Sequence, residues 1–132
     1  MNASQTSAEP SHPSPTLDAD AVRRLRELDP EGKHGVLGRV MRTFETSLQR
    51  ALVQLDDARR RHDVAAVGSL AHMLKSSSAS VGALSLSTCC AAIERSARAG
   101  EVSDLSFCVD LMSAEAAQAL VAVRALLQAE GL

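Results

Sequence analysis

His72 is the residue whose neighbours point to chemistry. A neutral imidazole is a good nucleophile near pH 7, because its ordinary pKa of about 6.5 leaves much of it unprotonated. Lys75 and Ser76 follow at the three- and four-residue spacing that stacks side chains along one helix face. A phosphoryl group leaving an acyl phosphate would meet one ring nitrogen in line. The charge on its equatorial oxygens must then be offset in a loose transition state. The Lys75 ammonium, one turn along, is placed to reach those oxygens, and the Ser76 hydroxyl can donate a hydrogen bond.

The element that must hold these groups is a helix capped by Asp63 and running to about Val81. At 100° per residue, Val67, Leu70, Ala71, Leu74, Ser78 and Val81 gather on one side, with Leu70, Leu74 and Val81 at its middle. His72 points almost directly away from that core face. Around it on the outer face stand Ala65, Gly68, Ser69, Lys75, Ser76 and Ala79, all small except the lysine. Solvent-facing helix positions usually carry Glu, Lys, Gln or Arg, and a mid-helix glycine costs about 1 kcal/mol relative to alanine. A stripe this bare leaves the ring reachable by another protein's active site, so Ala65, Gly68, Ser69 and Ala79 are read as a partner-docking surface. Drift in an Ala- and Ser-rich chain would explain the wheel equally well. The nucleophile and cation on the same stripe favour function.

The remaining elements are also helices. A short one, about Asp18–Leu28, stops at Asp29-Pro30, since the residue before proline disfavours the helical region. A long one follows from about Val36 to Arg61, with Leu37, Val40, Met41, Phe44, Leu48 and Leu55 on one face. Its charged end, Asp56–His62, reads as a solvated face with cations well placed at a helix C-terminus. Gly82 breaks the chain before a fourth helix, about Ala83–Ala99, with Leu86, Cys89, Cys90, Ile93 and Ala97 inward. Ser103 or Asp104 caps the fifth, whose buried side carries Leu105, Val109, Met112, Ala116, Leu120, Val123 and Leu127. No segment alternates as a strand does. The expected fold is all-α, an antiparallel four-helix bundle with an additional short N-terminal helix over residues 17–132. Residues 1–16, rich in Ser and Pro, read as a flexible tail.

Composition narrows the functions. The chain has 132 residues, no Trp or Tyr, two Phe and a net charge of −2. Nucleic-acid binding is not expected without a basic surface or stacking aromatics. Cys89, Cys90 and Cys108 read as buried free thiols of a reducing cytosol. No apolar run approaches the length needed to cross a bilayer, and the amino terminus has no secretory signal pattern, so the expected location is cytoplasmic, without membrane insertion. No histidine spacing suits a metal enzyme, and no serine sits in a hydrolase elbow.

The run His72-Met73-Leu74-Lys75-Ser76 through Gly82-Ala83 resembles the signature of histidine-containing phosphotransfer (HPt) domains: His-x-Leu-Lys-Gly, small residues, then Gly-Ala opening the next helix. Ala71, Asp63, Phe44, Leu86, Cys90 and Glu94 match flanking features, and the resemblance spans about Leu17 to Leu132. It implies that His72 accepts a phosphoryl group from a receiver-domain aspartate and passes it on within multistep two-component signalling. Lys75 would steady the phosphoryl oxygens, and Gly82 would mark the turn between helices. The implied domain is a carrier without enzyme activity or cofactor of its own, since the receiver supplies Mg²⁺. Its implied partners are response-regulator receivers and a hybrid sensor histidine kinase. Ser76 departs from the family's usual glycine, which bears on transfer efficiency. The competing reading is an interaction bundle that binds a receiver, kinase or enzyme without phosphorylation. A monomer is expected, because one bundle can bury all five apolar faces, with pairing through an exposed Leu or Val ridge as the alternative.

Overall fold

The computed structural model describes residues 16–131. Apart from Thr16, the expected tail lies outside these residues. The described chain forms five helices and no strand: α1 (Ala19–Glu27), α2 (Val36–Arg60), α3 (Val64–Val81), α4 (Leu84–Arg98) and α5 (Leu105–Ala129). Local chemistry sets where three of them start. The carboxylates of Asp18, Asp63 and Asp104 accept hydrogen bonds from the backbone N–H of Ala21, Ala66 and Phe107 respectively, satisfying donors that a helix start leaves free. Asp29, at the end of α1, is buried, and its carboxylate accepts from the N–H groups of His34 and Val36, folding the loop back onto the start of α2.

Helices α2 to α5 pack in a ring, each against the next and α5 against α2, while α1 lies on α2 and α3. The bundle expected from the periodicity is therefore the one found. Met41, Phe44, Leu48 and Leu55 from α2 meet Val67, Leu74 and Val81 from α3, Leu86 and Ile93 from α4, and Val109, Met112 and Val123 from α5. Leu70, expected at the middle of the α3 core face, is only half-buried; Ala71 takes that place at the fully buried centre. The charged end of α2 is a web of exposed ion pairs. Asp56 holds Arg59 and Arg60, Asp57 holds Arg61, and Arg59 reaches Asp110 on α5 at 2.9 Å. Exposed pairs of this kind contribute little to stability.

Two expectations need correction. Only Cys90 is a buried thiol; Cys89 and Cys108 are half-buried, and all three are free. Burial pushes the Cys90 thiol up to about 12, which makes it inert as a nucleophile. Helix α5 is also long and apolar enough, by length and composition, to cross a bilayer. The sequence hides this because small residues carry much of the apolar character, and the inward side of the helix belongs to the bundle core.

Gly82 ends α3 with a left-handed backbone, φ 90°. Its carbonyl accepts the Asp18 N–H at 2.9 Å, so the start of α1 is docked on the α3–α4 turn. A Cβ at this position would lie 2.8 Å from the Asp18 nitrogen and 3.0 Å from its carbonyl oxygen. Glycine is required here both by torsion and by space.

Candidate functional site

Ala71 and Leu74, both fully buried, lock α3 into the core and thereby turn His72 outward. The His72 side chain is 61% exposed. Its Nδ1 lies 2.6 Å from Glu94 Oε2 on α4, while Lys75 Nζ donates to Glu94 Oε1 at 2.7 Å. Arg98, one turn along α4, pairs with the same carboxylate at 2.7 Å. Glu94 itself is 4% exposed. A buried carboxylate is costly unless ionic or hydrogen-bonding partners surround it, and here three basic side chains do.

Those partners set its acidity. The Lys75 hydrogen bond is the largest influence; burial opposes it, and the His72 hydrogen bond and Arg98 charge add to it. The Glu94 carboxyl is held down at about 2. Because the folded value is depressed from 4.5, the stabilisation is fully present above that pH and is lost as pH falls toward about 2. The stability gap between the natural chain and Glu94→Gln should therefore narrow across that window in urea unfolding. A gap that stays constant would show that the paired charge is not its source.

The hydrogen bond to Glu94 also fixes the ring. A carboxylate accepts only, so a neutral His72 carries its proton on Nδ1 and its lone pair on Nε2, the nitrogen at the exposed edge. The arrangement is a nucleophilic nitrogen facing solvent, held by a carboxylate behind it, with a lysine ammonium on the same carboxylate.

The close approach of α4 that allows this depends on Gly68. A Cβ there would sit 3.1 Å from Ala97 Cβ. Gly68, read from the sequence as docking surface, is thus half-buried at the α3–α4 contact, and packing explains why the position is bare. Ser87 Oγ adds a bond across the same contact, donating to the Lys75 carbonyl at 2.8 Å. Ala65, Ser69, Ser76 and Ala79 are exposed on the His72 side, joined by Met73 at 48%. Ser76 takes part through its carbonyl, which accepts from Ser80 Oγ at 3.1 Å. The ring's inner nitrogen is held by Glu94. Likewise Lys75, read as poised for an incoming oxyanion, rests on Glu94.

Glu94, the shared partner of His72 and Lys75, is the residue that the sequence left without a role. The signal available was a lone acidic residue between Ile93 and Ala97 on the inward arc of α4, four residues before Arg98. Among the described residues no group of three or more His, Cys, Asp or Glu side chains is placed to hold a metal ion.

Comparison with known proteins bears on the family and the fold. No curated protein matches the chain in sequence. Among solved structures, histidine-containing phosphotransfer protein B (HptB) of Pseudomonas aeruginosa PAO1 superposes with a TM-score of 0.75 at 26% identity, covering 88% of this chain and 97% of that one. The Hpt domain family model matches residues 39–129, which contain His72, Lys75 and Glu94 together. With that match spanning most of the bundle, the chain belongs to the Hpt domain family of histidine phosphotransfer proteins.

Proposed function

We propose that this chain relays a phosphoryl group between receiver-domain aspartates in a multistep two-component pathway, with Nε2 of His72 as the carrying atom. The observation that supports this most is the outward ring whose Nδ1 is held by the buried Glu94. In the forward step Nε2 attacks the phosphorus of an aspartyl phosphate, the N–P bond forms, the P–O bond to the aspartyl carboxylate breaks, and that carboxylate leaves. The ring keeps its Nδ1 proton and becomes an imidazolium, whose positive charge faces the Glu94 carboxylate. Lys75 shifts from Glu94 toward the new phosphoryl oxygens as charge develops there. The chain acts as a carrier, and the receiver brings the Mg²⁺ and most of the catalytic groups. Ala65, Ser69, Ser76 and Ala79 form the small-residue surface on which the receiver rests. Serine at position 76 keeps that surface low while adding one hydroxymethyl group.

The same reading places the chain in the cytoplasm, with receivers and a hybrid sensor kinase as partners. It is tested by incubating the chain with a panel of receivers phosphorylated by labelled acetyl phosphate. The expected product is a phosphoprotein stable in alkali and labile in acid, as a phosphoimidazole is. Label that never reaches the chain, or that survives acid, defeats the reading.

A further inference from the structure

Among the described residues nothing covers the outer face of α5. Opposite its core residues Val109, Met112 and Val123 runs a stripe of Phe107, Leu111, Ala114, Gln118, Val121 and Ala125, with Phe107, Leu111 and Val121 exposed by 58%, 42% and 55%. The stripe contains no charge. Its successive spacings alternate between four and three residues, the seam of a coiled coil.

We infer that this face pairs with the α5 of a second copy, the two helices running antiparallel about a two-fold axis near the middle of the helix. The flanking charges choose both the partner and the direction. Asp110 and Arg124 lie on the same flank, about equally far from the centre. Antiparallel pairing sets Asp110 of each copy beside Arg124 of the other, twice. Each already has a partner on α2, Arg59 at 2.9 Å and Glu45 at 2.7 Å, so the pairing extends two chains of alternating charge. In the same register Phe107 faces Ala125, Leu111 faces Val121 and Ala114 faces Gln118, so a large side chain meets a small one at the ends. Parallel pairing would instead bring Asp110 against Glu115 twice. The antiparallel form has one like-charge meeting, Glu115 with its own copy, and Glu115 lines the recess between α4 and α5. α5 packs mainly on α2 and α4, with α3 diagonally across the bundle, so both His72 rings remain free. The inference stands independently of the phosphotransfer reading and departs from the monomer expected from the sequence, a difference that the oligomeric state in solution decides.

A 25-residue helix is about 37 Å long, so pairing along this one helix makes a small interface at the weak end of the range. Sedimentation of the full chain from about 1 to about 500 μM should show monomer passing to dimer. Val121→Glu and Leu111→Glu, both at exposed positions, should weaken the dimer by about 30-fold or more with unchanged circular dichroism. Val53→Glu, at an exposed apolar position on α2, should leave it intact. With Cys89 and Cys108 replaced by alanine and spin labels placed through Gln128→Cys, the label separation should be about 36 Å, against about 10 Å for parallel helices. A chain that stays monomeric throughout, equal effects of Val53→Glu and Val121→Glu, or labels at the short distance would each overturn the proposal.

Discussion

His72→Gln is expected to bring transferable label down to background, more than about 1000-fold below the natural chain, because it removes the attacking atom itself. The same substitution should leave the fold nearly untouched. The imidazole is mostly exposed and contributes one hydrogen bond to Glu94, which keeps Lys75 and Arg98 as partners. Glutamine can also donate to the carboxylate from a similar position. Thermal unfolding within a few degrees of the natural chain, together with lost label and retained receiver binding measured by calorimetry, is the expected combination. That combination separates a carrier from a bundle that merely docks: in an interaction module the variant and the natural chain would be alike in all three measurements. Label persisting on the variant would move the phosphate to another residue and remove the role assigned to His72.

The largest effect on stability is expected at Gly82. Gly82→Ala must place a Cβ within 2.8 Å of the Asp18 nitrogen at a residue whose φ is 90°. The torsion alone costs about 1–2 kcal/mol for an L side chain. Moving α1 off the turn breaks the Asp18–Gly82 hydrogen bond and loosens the contact at Ala21, for a total of about 2–4 kcal/mol and a fall in melting temperature of about 10 °C. Gly100→Ala is the matched control. Its φ is 69°, but nothing lies within 4 Å of the added Cβ, so it reports torsion without crowding. Equal destabilisation of the two variants would show that the docking of α1 contributes nothing. Faster amide exchange at Asp18 in Gly82→Ala alone would locate the damage where the geometry places it.

The helices were legible in the sequence because each one's inward face is written in its own spacing. The wheel of α3 turned His72 outward from Leu74 and Val81 with no knowledge of any neighbour, and Asp63 and Gly82 marked its ends. Relations between helices were harder to read. Glu94 lies 22 residues from His72 and 19 from Lys75, and no local pattern says that three side chains from two helices will meet on one carboxylate. Gly68 shows the same limit from the other side. On the wheel it belongs with the open residues, and only the position of Ala97 on a neighbouring helix reveals that it is bare for packing. The outer stripe of α5 is hard to read from spacing because the helix is apolar on both sides, so only the packing of Val109, Met112 and Val123 shows that Phe107, Leu111 and Val121 are left outside. The family resemblance carried by His72, Lys75 and Gly82 fixed the class of protein before any of these relations was known.

The openness of the His72 ring has a cost that the bundle does nothing to reduce. An imidazole shown to every visiting protein is shown equally to water, and among the described residues no helix or loop closes over it. Under the proposed relay, a phosphoryl group on Nε2 is open to water from its outer side, so its lifetime rests on the chemistry of the N–P bond and on how soon a receiver takes it, with no shelter supplied by the bundle.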